Sequence, residues 1–189
     1  MNEIHYFKET GKKNTEETLQ LVKKRAQELG IKDIVIASNH GYTALEAAKI
    51  LKGTGCNIIA VGISYGHKDE GWTMTEKEKQ KLESAGIRVL TCLIALGGNV
   101  DRAFTKEFGG ISFAEVVAQT LYLFSQGMKV CVEIVLMAAD AGLIDMDREV
   151  IAVGGTDKGA DTAIVVKPSY PRKLLDLRIS EIICKPRCG

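Results

Sequence analysis

Between Asn14 and Leu93 the chain repeats one alternation, an amphipathic stretch followed by a short, dense apolar run. From Asn14 to Leu29, Leu19, Val22, Ala26 and Leu29 recur at helical spacing. Asn14 or Thr15 suits the cap, Glu16 and Glu17 favour the positive helix end, and Gly30 suits the stop. Asp33 to Ser38 (DIVIAS) then has the β-branched content of a buried strand. Tyr42 to Leu51 reads as an alanine-rich helix and Asn57 to Ile63 (NIIAVGI) as a second buried strand. Thr75 to Ala85 opens on TEKE, a capped and charged helix start, and leads to a third strand at Ile87 to Leu93 (IRVLTCL). Strands that are apolar on both faces and joined through helices predict a parallel sheet with right-handed crossovers.

The pattern changes after the third strand. Val100 to Phe108, Phe113 to Ser125 and Lys129 to Ala141 all read as helices, with Gly127 expected to break the last two apart. Strands return at Val150 to Gly154 (VIAVG) and Thr162 to Lys167 (TAIVVK). Only seven residues separate them, too few for a parallel crossover, so they are expected to pair antiparallel. Leu177 to Cys184 alternates enough for an edge strand. The long helical return places the fourth strand on the far side of the first. The prediction is an α/β fold whose sheet has about five strands in the order 3-2-1-4-5, with strand 5 antiparallel. In open sheets of this kind ligands bind beyond the carboxyl ends of the strands where the order reverses, here between the loops after strands one and four.

With 189 residues, 46% hydrophobic and 26% charged, the chain suits one globular domain over 1–189 rather than a disordered segment. A net charge of +1 argues against nucleic acid or an anionic membrane as partner, and Lys23-Lys24-Arg25 falls on the polar face of a helix. The polar start from Met1 to Lys13 argues against a signal peptide. The most apolar run, Val130 to Ala139, contains Glu133 and is too short to span a bilayer. Five cysteines without CxxC spacing and three scattered histidines give no metal site. Cys92 and Cys131 read as small core residues, and the set fits a reducing cytoplasm.

The loop after the first strand, Ser38-Asn39-His40-Gly41-Tyr42-Thr43-Ala44, runs straight into a helix N-terminus. Free N–H groups of that turn, with the Ser38 and Thr43 hydroxyls, suit a phosphate. The same residues also suit a capped turn without a ligand. The loop after the fourth strand, Gly154 to Thr162 (GGTDKGADT), has more glycines and hydroxyls than a hairpin needs, and Gly155 and Thr156 are its candidate ligand contacts. The stretch Ser64 to Met74 follows strand two at the same edge. It reads either as a lid whose Tyr65, Trp72 or Met74 covers an aromatic ring, or as a surface loop packed on the domain or a second subunit. His67 has no evident partner as a base. Lys129 and Glu133 form an (i, i+4) pair with Asp140 one helical stretch on. Glu133 is read as an anchor for the Ser38 or Gly155 loop rather than a catalytic carboxylate. The stretch Gly97 to Arg102 offers Asn99 as a helix cap or Arg102 as a phosphate partner, with capping the favoured reading.

The run DIVIASNHGYTALEAAKI resembles the strand–loop–helix of the pyruvate kinase C-terminal domain, and VIAVGGTDKGADTAIVV resembles its final strand pair. A closer resemblance, over nearly the whole chain, is to stand-alone archaeal and bacterial proteins of the pyruvate kinase α/β domain-like family. FKETGKKNTEET, ASNHGYTA, QGMKVCVEIVLMAADAGLI, GGTDKGADTA and IICKPR carry it. The resemblance implies a three-layer α/β/α sandwich. In regulated pyruvate kinases a TxSGxSA loop binds a phosphate of a sugar bisphosphate, whereas here His40, Tyr42 and Thr43 replace serine, arginine and serine. A planar, singly phosphorylated ligand such as FMN is therefore as well supported as a sugar bisphosphate. The catalytic barrel has no counterpart in this sequence, so pyruvate kinase activity is not expected.

The expected function is thus binding of FMN or another phosphorylated small molecule by Ser38, Asn39, His40, Gly41, Tyr42, Thr43, Gly155 and Thr156, with Trp72 above. A flavin-dependent oxidoreductase using the same pocket is the alternative. A structural subunit whose apolar helix makes a homo-oligomer interface is compatible with either.

Overall fold

The computed structural model describes residues 3–97 and 100–188. The elements are β1 (His5–Phe7), α1 (Thr15–Leu29), β2 (Asp33–Ala37), α2 (Tyr42–Ile50), β3 (Asn57–Gly62), α3 (Glu76–Ser84), β4 (Arg88–Thr91), α4 (Val100–Phe108), α5 (Phe113–Tyr122), α6 (Gln126–Asp140), β5 (Val150–Gly154), β6 (Thr162–Lys167) and β7 (Arg178–Pro186). They form one sheet in the order β1-β7-β6-β5-β2-β3-β4. The five strands expected from the sequence are β2 to β6, and their order is as expected: β5 lies parallel to β2 (Ile36 opposite Val153), and β6 is antiparallel to β5.

The sheet has seven strands rather than five. The tail strand is not an edge: β7 is antiparallel to β6, and β1 adds outside it, parallel, with His5 opposite Cys184. β1 is three residues long, too short for any periodicity to reveal, and it forms because β7 offers an unpaired row of backbone groups.

β2 shows why its sequence is continuously apolar. Ile34 and Ile36 pack into a core under α1, α2 and α3, while Val35 points into a second core under α5 and α6. Both faces are covered, as a three-layer sandwich requires. On the first face α1 contributes Leu19, Val22 and Ala26, and Gly30 ends the helix at φ 67°. Asn14 sits at the cap position but does not cap; its side-chain amide donates to the Glu9 carbonyl at 2.7 Å.

The second core rests on α6, which is buried from Gly127 to Ala139 apart from the half-buried Val130. The apolar Val130–Ala139 run is therefore an internal helix of this chain. No helix among the described residues is long and apolar enough to cross a membrane. Gly127, expected to separate two helices, lies inside the first turn of α6; the break comes earlier, at Ser125, whose hydroxyl accepts from the Met128 N–H at 3.0 Å. Glycine is required at 127 by close approach. A Cβ there would stand 2.2 Å from the Thr162 hydroxyl oxygen and 2.5 Å from its Cβ, and one on Gly154 would stand 2.7 Å from the Gly127 carbonyl. The two glycines let the helix start sit directly on the β5–β6 exit.

Cys131 and Cys184 are buried and no disulfide joins the described cysteines. Burial pushes the Cys184 thiol up to about 12 and the Cys131 thiol well above its ordinary value, so both behave as core residues.

Helix propensity alone favours alanine over an interior glycine by about 1 kcal/mol. At Gly127 the contact with Thr162 reverses the sign, because overpacking costs about 1–3 kcal/mol. Gly127→Ala is expected to lower the urea unfolding midpoint; a raised midpoint would show that the helix start has room.

Candidate functional site at the carboxyl edge

β2 and β5 end side by side, and the chain leaves β2 through Ser38 to Gly41. The Ser38 N–H still donates to the Val61 carbonyl at 2.9 Å, so the ladder runs one residue beyond β2. Asn39 then pins the turn to the exit of β3, its side-chain oxygen accepting from the Ile63 N–H at 3.0 Å. Gly41 is the N-cap of α2 at φ 84°, a left-handed conformation that suits glycine, with Leu82 packed beneath it.

His40 reaches sideways to α3, where its Nδ1 lies 3.3 Å from Glu78. Glu78 and Thr75 also form a reciprocal capping box. Burial pushes the Glu78 carboxyl up, but the Thr75 N–H, the Thr75 hydroxyl and His40 outweigh it, and the net shift is downward.

The first turn of α2 differs from those of α3, α5 and α6, each of which has a side-chain cap. α2 has none and no acidic residue in its first turn. Among the described residues, the Ser38 hydroxyl meets only the Ala44 N–H, at 3.4 Å. Among the described residues, the N–H groups of Tyr42 and Thr43 meet no protein acceptor. Thr43 is buried, 4% exposed as a residue, and among the described residues its hydroxyl has no hydrogen-bond partner either. Donors and a buried hydroxyl without protein partners thus meet at the positive end of a helix dipole.

The β5–β6 loop is held by Asp161, which is fully buried. Its Oδ2 accepts from the Gly11 N–H at 2.8 Å and from the Thr156 N–H at 3.1 Å, and its Oδ1 accepts from the Thr162 hydroxyl at 2.8 Å. The Thr162 hydroxyl in turn lies 3.3 Å from that of Ser125 at the start of α6. On the α1 side the Ala160 N–H donates to the Thr15 hydroxyl at 3.0 Å. The glycines serve this packing: a Cβ on Gly155 would stand 2.6 Å from the Gly159 carbonyl, and one on Gly159 2.4 Å from the Thr15 hydroxyl oxygen.

This arrangement brings a third segment to the edge. The turn Gly11–Asn14 is tied to the β5–β6 loop by Asp161, and from it Lys12 extends its ammonium to 4.3 Å from the centroid of the Tyr42 ring. Sequence reading singled out neither Lys12 nor Asp161. Asp161 is the second of two aspartates in GGTDKGADT and carried no signal distinguishing it from a turn residue, and Lys12 lies in a charged lead-in.

The remaining candidates fall elsewhere. Trp72 stacks on His67 at 5.6 Å, and His67 pairs with Glu70 at 3.1 Å; no described hydrogen bond or ring contact joins Trp72 to Ser38–Thr43. Glu133 is an anchor, but for a different loop than expected. It pairs with Lys129 at 2.5 Å and accepts from the Leu96 N–H at 2.9 Å, holding the segment after β4 rather than Ser38 or Gly155. Asp140 ends α6 exposed. Arg102 lies 3.7 Å from Glu115, and Asn99 lies outside the described residues. Among the described residues no group of three or more His, Cys, Asp or Glu side chains is placed to hold a metal ion.

The protein-family model described as "Pyruvate kinase, alpha/beta domain" matches residues 16–166, from the first turn of α1 to β6. The chain belongs to that family. Among solved structures, a pyruvate kinase from Cryptosporidium parvum is 15% identical with a TM-score of 0.39, 80% of this chain matching 22% of that one. Cryptosporidium parvum pyruvate kinase in complex with ADP is 16% identical with a TM-score of 0.37, with 91% of this chain on 24% of that one. The chain spans less than a quarter of these pyruvate kinases. In this pyruvate kinase alpha/beta domain the family match covers both loops at the β2 and β5 exits but not the Gly11–Lys12 turn.

The Glu78 shift gives a pH prediction. A carboxyl whose folded pKa lies below its unfolded one stabilises the fold above the unfolded value, and that contribution is lost as pH falls through the folded value. The stability advantage of wild type over Glu78→Gln is expected to be present above the unfolded carboxyl value and to shrink below about pH 4. Urea unfolding of both proteins across that range checks it; a pH-independent difference would remove the electrostatic account of the α3 cap.

Proposed function

We propose that this chain binds a small phosphorylated ligand at the junction of the β2 and β5 exits, with the phosphate at the N-terminus of α2. The observation that carries the reading is that, among the described residues, the N–H groups of Tyr42 and Thr43 and the hydroxyl of the buried Thr43 have no partner. A phosphate supplies the acceptors those donors lack, and the helix dipole favours its charge. Ser38 stands next to the turn, and Lys12 supplies a cation at Tyr42. His40 and Asn39 act indirectly, fixing the turn through Glu78 and Ile63.

On the β5 side, the Thr156 N–H is already held by Asp161, so Thr156 contributes its hydroxyl and Gly155 its backbone surface. FMN is the first ligand to test, with a sugar bisphosphate second. The chemistry assigned is binding, without pyruvate kinase activity, in a reducing cytoplasm that suits the free cysteines.

Thr43→Val separates this reading from a plain turn. Replacing a buried hydroxyl that has no partner by a methyl is expected to leave the melting temperature of the ligand-free protein unchanged or slightly higher. The same change removes a hydrogen bond to a charged ligand, worth about 1.5–3 kcal/mol, so affinity is expected to fall about tenfold or more. Titration calorimetry of FMN, and separately of a sugar bisphosphate, against both proteins measures it. Equal affinity in wild type and variant, or no binding of either ligand by the wild type, would contradict the proposal.

A further inference from the structure

α4 is turned inside out with respect to its own chain. Asp101, Arg102 and Thr105 line a cavity of about 200 Å³ that α4 shares with α5 and Lys129 of α6. The apolar residues point the other way. Val100, Phe104 and Phe108, at successive (i, i+4) steps, are 71%, 61% and 78% exposed, and the stripe continues through Ile111 at 63% and Phe113 at 93%. Phe104 and Phe108 lie against each other with ring centroids 6.0 Å apart. α4 contributes no buried residue to either core. A nine-residue helix is marginal in water without a packed apolar face.

The area is that of an interface. With roughly 200 Å² for a fully open aromatic side chain, these five residues leave on the order of 650 Å² of apolar surface open. That exceeds the roughly 300–600 Å² of the largest patch on an ordinary monomer and approaches the roughly 800 Å² that each partner buries in a standard interface.

Charge selects the occupant. Asp101 and Arg102 face the cavity, and the two remaining charges of α4, Lys106 and Glu107, are opposite in sign, so the rim of the apolar face is neutral. A neutral rim gives no attraction to anionic lipid, whose amphipathic ligands are rich in Lys and Arg, and none to a strongly charged partner. It does permit the same face to meet itself, because a two-fold interface must be self-complementary and an aromatic patch with a neutral rim repels no copy of itself. We infer that the Val100–Phe104–Phe108–Phe113 face is where a second copy of this chain docks, forming a two-fold dimer through α4 and the start of α5. The inference is independent of the ligand site.

Sedimentation velocity of the full chain at micromolar concentration, with wild type, Phe104→Glu and a control Leu175→Glu at an exposed residue outside the face, tests it. The expected result is a dimer for wild type and control. Phe104→Glu is expected to dissociate about 30-fold more readily, the mark of a central aromatic contact, with unchanged circular dichroism. A second variant, Phe108→Glu, is expected to do the same. A monomeric wild type, or dimers that persist in both Phe variants, would overturn the inference. So would monomeric wild type carried down by phospholipid vesicles, which assigns the face to a membrane. Monomers whose unfolding midpoint drops with Phe104→Glu would also overturn it, since α4 would then pack on its own chain.

Discussion

Asp161 carries a carboxylate with no solvent exposure, and donors from separate stretches of the chain converge on it. The Gly11 N–H comes from the lead-in to α1, the Thr156 N–H from the far side of the same loop, and the Thr162 hydroxyl from the first residue of β6. A buried carboxylate is tolerated only when such bonds replace its water, and bonds to a charged acceptor are the strong ones. The shape of the carboxyl edge follows from that requirement. The β5–β6 loop cannot open without stripping Asp161, and the Gly11–Lys12 turn cannot leave without exposing one of its donors. Lys12 is thereby held at Tyr42, beside the open end of α2.

The close contact of α6 with the strand pair extends the same constraint to the opposite face. Thr162 links Asp161 to the cap of α6 through Ser125, and Gly127 against Gly154 removes the side chains that would keep the helix away. The edge is therefore built from α1, α2 and α6 at once, with helix N-termini arriving from both layers. Of these, α6 is capped by Ser125 and α1 has Glu16 and Glu17 in its first turn, while α2 has neither device. That difference locates the unmet positive potential at Tyr42 and Thr43.

The strands buried on both faces were legible in the sequence because burial on two sides leaves uninterrupted apolar runs, and Ile34, Val35 and Ile36 belong to both cores. The order of those strands was legible because the short β5–β6 connection forces antiparallel pairing and the long helical return forces β5 beside β2. β1 was not legible: its three residues have no periodicity, and its formation depends on an edge made by residues some 180 positions away. Gly127 was misread for a related reason. A glycine in a helical pattern signals a break only if nothing else demands it, and the demand comes from Thr162 across the fold. At the candidate site, Ser38 and Gly41 were readable from a strand-to-helix turn. Asp161 and Lys12 were not, since each acts through a contact across about 150 or 30 residues of chain.

The most direct test of the Asp161 clamp is native-state hydrogen exchange of two backbone amides, Gly11 and Thr156, in wild type and in Asp161→Asn. If the buried carboxylate holds the lead-in and the loop together, both amides in wild type exchange only in openings that approach global unfolding. Both then lose protection together in the variant, while amides of β2 and β3 keep theirs. Rapid exchange of Gly11 or Thr156 in wild type, or loss of protection at one without the other in the variant, would contradict a single clamp at the carboxyl edge.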